Sequence, residues 1–200
     1  MSQQEEFLAF IARLCLVLIF PFSTLNKVFD YQAAMDQAAH GWIPLPAPMP
    51  ANELAKLPVK VQRWLARKGA FEFRHVHPRN ELKPEKRPPN QQVWFRLIDR
   101  APDDPALHRA LLAYASDFYL LGTALQPHGI SYLHKHVQVA SLDHALWFHR
   151  PFRADEWFLY DCSSPSASGA RGLATGQMFT VDGLHIATAV QEGLLRRVGG

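Results

Sequence analysis

Five polar side chains that can do chemistry lie within the apolar stretch of residues 111–151. They comprise a carboxylate in a helical pattern and four polar groups in a strand-like run, namely Asp117, Ser141, Asp143, His144 and His149. A carboxylate can orient or deprotonate water, and a hydroxyl can donate a hydrogen bond to a polarised carbonyl. Because polar groups are costly to place among apolar residues without a reason, this stretch is predicted to contain the functional site.

Two familiar arrangements compete for these residues, a Ser-His-Asp triad and a metal site. In a strand, Ser141 and Asp143 point to one face while His144 points to the other, which disfavours a locally built triad. His144 and His149 are separated by an odd number of residues, so in a strand they also point to opposite faces. They are therefore poorly placed to bind one metal ion together. Both histidines are therefore predicted to bond backbone or neighbouring side chains, and no metal site is expected.

The composition is typical of a globular protein in a reducing compartment. Of 200 residues, 48% are hydrophobic and 20% are charged, which excludes a disordered chain. The net charge of +3 is too small to indicate nucleic acid by itself, and no RNA-binding signature, zinc-finger spacing or basic block is present. Cys15 and Cys162 lie in unlike contexts, so a disulfide framework is not expected. A cytoplasmic location is therefore predicted.

The spacing of apolar residues predicts an α+β fold. Alternation predicts strands at Phe71–Val76 and Gln92–Ile98. A helix with Asp104 as its N-cap and Pro105 in its first position is predicted to run to about Gly122, apolar nearly all round and therefore buried. Four more strands are predicted at Val137–Phe148, Trp157–Cys162, Ala170–Thr180 and Leu184–Arg196. Consecutive strands with short links pair antiparallel, so the pattern predicts a sheet wrapped around one long helix.

The chain is predicted to have three parts, residues 1–46, 47–70 and 71–197. The first is a hydrophobic segment. The second contains a proline-rich linker and a short amphipathic helix. The third is the main domain. Within the first part, residues 7–29 reach the length needed to cross a bilayer only if a few polar residues are tolerated.

Residues 1–46 resemble the first membrane segment of DoxX-type proteins. The resemblance lies in the run RLCLVLIFPFSTLNKVFD, which is followed by GWIPLP. It implies membrane contact by residues 7–29 and a membrane-associated form of the cytoplasmic protein. An amphipathic helix docked on protein and a remnant of gene fusion are the alternatives.

Eight motifs, in order along the chain, resemble the acyl-CoA thioesterase II family over residues 51–196. They are QQVWFR, PDDPALH, LAYASD, ALQPHG, LDHALWFHRPF, EWFLY, SASGARG and VQEG. Members of this family are double hotdog enzymes, and these motifs belong to the second repeat and its preceding linker. The resemblance therefore implies a single hotdog fold, an antiparallel sheet wrapped around one long buried helix.

The resemblance also implies an activity, the hydrolysis of acyl-CoA to free fatty acid and CoA in lipid metabolism. The family's catalytic Asp, Ser or Thr, and Gln fall on Asp117 of LAYASD, Ser141 before LDHALWFHRPF, and Gln191 of VQEG. No metal or organic cofactor is implied.

Because members of the family have two hotdog repeats and the motifs here belong to one, the resemblance implies a homodimer or higher oligomer formed through the hotdog sheet. The alternative interpretation is a catalytically weak hotdog module that binds or dimerises, left by truncation or gene fusion.

Overall fold

The framework of the described structure is a seven-stranded antiparallel sheet. The computed structural model describes residues 43–59, 62–63 and 69–198, so the predictions for residues 1–42 lie outside the described residues. The described elements, in chain order, are α1 (Ala51–Lys56), β1 (Phe71–His75), β2 (Asn90–Leu97), α2 (Pro105–Ser116), a 3-10 helix (Leu121–His128), β3 (Val137–Ser141), β4 (Ala145–Phe148), β5 (Phe158–Ser168), β6 (Arg171–Thr180) and β7 (His185–Arg197). This order and pairing agree with the predicted α+β class.

The long strand β7 organises one edge of the sheet. The strand order is β1-β2-β5-β6-β7-β3, and β4 also pairs with β7. On one side β7 pairs with β6, and on the other it pairs first with β4 and then with β3. The strands β3 and β4 therefore form the edge of the sheet beside β7.

The predicted single strand over Val137–Phe148 is wrong, because residues 142–144 leave the sheet. The amides of Leu142 and Asp143 both donate to the Glu192 carbonyl, at 2.9 and 3.3 Å, while the Asp143 carboxylate accepts from the Glu192 amide at 2.7 Å. The chain thus loops around one residue of β7 before β4 begins. The strand-face argument about Asp143 and His144 fails with it, since neither residue is in a strand.

The predicted helix begins where expected but is shorter and less buried. The Asp104 side chain accepts from the Ala106 amide at 2.8 Å, which confirms the N-cap. The helix ends at Ser116, and Tyr119 has a left-handed backbone with φ of 69° that a continuous helix cannot contain. One face of α2 is exposed, and the buried segment is the 3-10 helix that follows it.

The core lies between the sheet and these two helical segments. It includes the fully buried Phe95, Leu112, Phe158 and Tyr160. Burying each large apolar side chain contributes roughly 1.5–3 kcal/mol. Gly193 of β7 allows the 3-10 helix to pack closely against the sheet, because a Cβ at this position would overlap the side chain of Leu121 in that helix.

Among the described residues, no helix combines the length and the apolar character needed to cross a bilayer.

Candidate functional site

Three different elements position the three residues named from the family resemblance. Asp117 is the C-cap of α2, Ser141 is the last residue of β3, and Gln191 lies in the middle of β7. Because Ser141 pairs with Gly193, β3 brings the hydroxyl beside the Gln191 side chain. The end of α2 lies over the same part of β7, so all three side chains meet.

The side chains form a connected hydrogen-bond cluster. The Gln191 Nε2 donates to Asp117 Oδ1 at 2.5 Å and to Ser141 Oγ at 2.9 Å. The Ser141 hydroxyl donates to the same Asp117 oxygen at 3.4 Å. Both amide protons of Gln191 are thereby used, and they orient the carboxylate and the hydroxyl toward a common point.

One side chain of the cluster is buried and the other two are exposed to solvent. Gln191 is fully buried, whereas Asp117 and Ser141 are exposed. The expectation that Asp117 sits on a buried helix is therefore wrong, because the helix ends before it and turns the carboxylate toward solvent. The Gln191 Oε1 is buried and has no hydrogen-bond partner among the described residues.

An open cavity of 430 Å³ lies against these residues. It is lined by the three side chains and by Tyr114, Phe118, Leu142, Asp143 and His144. Tyr114 and Phe118 fall within the range of the predicted buried helix, yet both line this open cavity. Their spacing of four, which puts two residues on one helix face, is the sequence signal for this shared position. Because an apolar wall and polar groups face one cavity, the site can accept an apolar chain that ends in a polar group.

The histidines of the apolar stretch bond neighbouring groups, as predicted. The His144 Nε2 lies 2.8 Å from Ser116 Oγ, and that hydroxyl donates to the Ala113 carbonyl. The His149 Nε2 lies 2.9 Å from the Thr188 hydroxyl. Ser141 is bonded to a carboxylate and an amide, so the geometry is not that of a Ser-His-Asp triad.

Two other polar groups of the same stretch support the sheet. The Asp143 carboxylate holds the loop onto β7, and the Arg150 Nη1 donates to the His185 carbonyl at 2.6 Å. The described residues contain no group of three or more His, Cys, Asp or Glu placed to hold a metal ion.

The buried groups near the cluster are kept neutral. Burial raises the pKa of the Cys162 thiol well above its usual value, so no thiolate nucleophile is available there. Burial, with the nearby Cys162 and Asp117, also raises the pKa of Tyr160. The Tyr160 hydroxyl therefore stays protonated and donates to the Ser116 carbonyl at 3.0 Å, which holds the end of α2 that positions Asp117.

Comparison with known proteins identifies acyl-CoA thioesterases as relatives of this chain. Residues 66–194 match the family model described as acyl-CoA thioesterase. Acyl-CoA thioesterase 2 of Haemophilus influenzae is 43% identical over 140 residues, 70% of this chain and 49% of that protein. Human acyl-coenzyme A thioesterase 8 is 39% identical over 146 residues, 72% of this chain and 45% of that protein. The chain thus spans about half the length of these curated relatives.

Solved structures agree with the hotdog-type thioesterase fold. The crystal structure of acyl-CoA thioesterase II TesB2 from Mycobacterium marinum matches with a TM-score of 0.56 and 48% identity. The match covers 78% of this chain and 57% of that one. These relatives give no support to the DoxX resemblance of residues 1–46. Since the family model matches well over half of the sequence, the chain belongs to the acyl-CoA thioesterase family.

Proposed function

We propose that this protein is a thioester hydrolase that converts acyl-CoA and water into a free fatty acid and CoA. The observation that carries the proposal is the convergence of Asp117, Ser141 and Gln191 from three elements at one open cavity. A carboxylate flanked by a hydroxyl and an amide is suited to hold one water molecule against a carbonyl carbon.

In the proposed reaction, Asp117 orients the water and accepts its proton. The water oxygen forms a bond to the thioester carbon, and the carbonyl oxygen takes up negative charge that hydrogen-bond donors stabilise. Ser141 is placed to donate to the water or to this oxygen. When the C–O double bond re-forms, the C–S bond breaks and the thiolate of CoA leaves, then takes up a proton from Asp117 or solvent.

Gln191 is proposed to position the other two groups. Its amide donates to both Asp117 and Ser141, and its own burial fixes the direction of those bonds. Every step uses side chains of this chain, so the proposed mechanism requires no metal or organic cofactor.

The proposal is tested by measuring CoA release from a panel of acyl-CoA esters by wild type and Asp117→Asn. Asparagine keeps the size of the side chain but cannot accept the proton of water, so kcat is expected to fall about 10²- to 10⁴-fold. A matched control is Asp182→Asn, in the exposed turn between β6 and β7, which should leave kcat unchanged. Equal background rates for wild type and Asp117→Asn would sink the enzyme proposal.

A catalytically weak binding or dimerisation module is the second candidate. Two observations favour it, the half-length match to the curated relatives and the openness of the cavity. In that case calorimetry would detect binding of acyl-CoA, while wild type and Asp117→Asn would both release CoA only at the background rate.

We further propose that two or more copies of the chain associate through the β3–β4 edge of the hotdog sheet. Large apolar side chains are exposed at and beside this edge. They are Tyr114 at 59%, Leu142 at 56%, Trp147 at 51% and Phe148 at 40%. Since two of them also line the site cavity, a second copy there would narrow the opening above Asp117 and Ser141.

Membrane contact by residues 7–29 is a separate proposal that rests on their apolar sequence alone. Carbonate extraction that leaves all of the protein in the supernatant would reject it.

A further inference from the structure

His144 connects two of the elements that carry the proposed catalytic residues. Its imidazole Nε2 lies 2.8 Å from the hydroxyl of Ser116, the last residue of α2. His144 itself belongs to the short loop that follows Ser141 at the end of β3. Because Ser116 directly precedes Asp117, this hydrogen bond joins the end of the helix that carries the carboxylate to the loop that begins after the hydroxyl.

The hydrogen bonds around Ser116 determine which nitrogen of His144 carries a proton. A serine hydroxyl has one proton to donate, and the Ser116 hydroxyl donates it to the Ala113 carbonyl at 2.8 Å. The imidazole must then be the donor in its own bond to Ser116, so the neutral ring is the Nε2–H tautomer. Protonation of the ring adds a proton at Nδ1 and leaves Nε2–H in place. His144 therefore makes this bond in both charge states of its ring.

Ser116 is a fully buried residue that is held from two sides. Its carbonyl accepts from the Tyr160 hydroxyl at 3.0 Å, which ties the end of α2 to β5 in the core. Its side chain accepts from His144, which ties the same residue to the loop at the edge of the sheet. Because Asp117 follows Ser116 and caps the helix, both bonds restrict where its carboxylate can lie.

The loop that contains His144 is itself attached to the strand that carries Gln191. The Asp143 carboxylate accepts from the Glu192 amide at 2.7 Å, and the Asp143 amide donates to the Glu192 carbonyl. Gln191 precedes Glu192 and donates to the Asp117 carboxylate. A closed path of covalent bonds and hydrogen bonds thus runs from β7 through the loop to the end of α2 and back to β7.

The bond from His144 is the shorter of two hydrogen bonds that join α2 and its C-cap to residues 137–148 in the described part of the chain. The other runs from the Ser141 hydroxyl to the Asp117 carboxylate at 3.4 Å, beyond the usual distance for such a bond. A displacement of about 1 Å near a reacting group can lower a rate about 100-fold. The short bond is therefore suited to keep the carboxylate and the hydroxyl at their working separation.

We propose that His144 is a positioning residue for the hydrolysis of acyl-CoA, acting through Ser116 on the carboxylate of Asp117. This inference rests on the proposed function and adds a residue that need not touch the reacting atoms. An acid–base role would instead use a proton at Nδ1 and make the rate depend on the charge of the ring. The positioning role needs only the Nε2–H donor, so another side chain with a donor at that place can replace His144.

The first test compares His144→Leu, which removes the donor, with His144→Gln, whose amide places an N–H group close to the position of Nε2. For wild type and both variants, kcat and KM for an acyl-CoA ester are measured between about pH 5.5 and pH 8.5, where imidazoles titrate. His144→Leu should lower kcat about tenfold or more and change KM less than about twofold. His144→Gln should keep kcat within about threefold of wild type, with the same pH profile. A glutamine variant as slow as the leucine variant would overturn the proposal.

A double-mutant cycle tests whether the effect passes through Ser116. Ser116→Ala removes the acceptor with little change in volume and should lower kcat by about as much as His144→Leu. The double variant should be no slower than the slower single variant, whereas effects that multiply would contradict the pathway through Ser116. His149→Leu is the matched control, because this exposed histidine also bonds a hydroxyl, that of Thr188, but lies outside the site cavity. It should keep the wild-type kcat.

NMR spectroscopy without substrate separates this inference from the proposed activity. Nitrogen NMR should show the Nε2–H tautomer for the neutral His144 ring, and an Nδ1–H tautomer would contradict the proposal. The carbon signal of the Asp117 carboxylate should move in His144→Leu and keep its wild-type position in His144→Gln. If wild type released no CoA, the proposed function would fail, while this pattern of carbon signals would still support positioning by His144. A carboxylate signal that is the same in all three proteins would overturn the inference even if the enzyme were active.

Discussion

At the level of single residues, Gln191 is the centre of the candidate site. It is fully buried in β7, yet its amide reaches both exposed members of the cluster. The cost of this arrangement is visible at its Oε1, which is buried without a partner among the described residues. An unsatisfied buried acceptor costs about 1–3 kcal/mol, so the residue is placed for geometry rather than for stability.

Replacing Gln191 by methionine should therefore separate activity from stability. Methionine has a similar shape and removes the unpaired oxygen, while Asp117 and Ser141 remain exposed to water. We expect kcat for acyl-CoA hydrolysis to fall about 100-fold, while the melting temperature stays equal or rises. Gln177→Met, at an exposed position of β6, is the matched control and should change neither quantity. A large loss of melting temperature in Gln191→Met would instead assign the amide a structural role.

At the level of elements, His149, which follows the edge strand β4, bonds to β7 beside a second histidine, His185, that belongs to β7 itself. The Thr188 hydroxyl lies 2.9 Å from the His149 Nε2 and 3.0 Å from the His185 Nε2, and the two imidazole rings are 4.6 Å apart. Burial lowers the pKa of His149. Burial, together with His149 and Arg150, lowers the pKa of His185. Both rings are therefore neutral in the folded state at neutral pH.

This pair predicts a loss of stability on mild acidification. In the unfolded chain both imidazoles take up protons near pH 6.5, whereas the folded state resists protonation until lower pH. The free energy of unfolding should thus decrease as pH falls below about 6.5. The double variant His149→Gln/His185→Gln should show a shallower decrease in melting temperature between pH 7 and 5. His77→Gln, an exposed histidine outside the sheet, should keep the wild-type slope, and an unchanged slope in the double variant would contradict the argument.

At the level of the whole molecule, the β3–β4 edge combines an unpaired strand edge, exposed aromatic side chains and the candidate site. Monomeric proteins seldom leave such an apolar edge uncovered, since it invites pairing with another chain. The half-length match to the relatives is consistent with this edge receiving a second hotdog unit. We therefore place the proposed oligomer contact here rather than at the β1 edge.

Size-exclusion chromatography with light scattering tests this contact directly. Wild type should elute as a dimer or larger species, and Trp147→Glu should shift the population toward monomer because a charge would be buried in the contact. Its kcat/KM for acyl-CoA should fall about tenfold or more, since the cavity would lose its cover. Val181→Glu, equally exposed but located in the β6–β7 turn, is the control. A wild-type monomer with full activity would contradict the proposal.

The sequence by itself determined the features that depend on near neighbours. Alternation located the strands near β1, β2, β6 and β7, and the Asp104-Pro105 pair marked the start of α2, because both signals are set within a few residues. The motifs located Asp117, Ser141 and Gln191 as a set through family resemblance. Nothing in the local pattern, however, states how far apart these residues lie in space.

The tertiary structure decided where elements end and which side chains meet. The helix stops at Ser116 and the strand breaks after Ser141 because the chain there makes contacts with distant residues, Tyr160 in one case and Glu192 in the other. Those two interruptions turn Asp117 and Ser141 toward Gln191, which lies 50 or more residues away along the chain. The same long-range pairing places Arg197 beside Val137 at the far end of the strand pair. Such contacts depend on sheet register and packing, which no short window of sequence encodes.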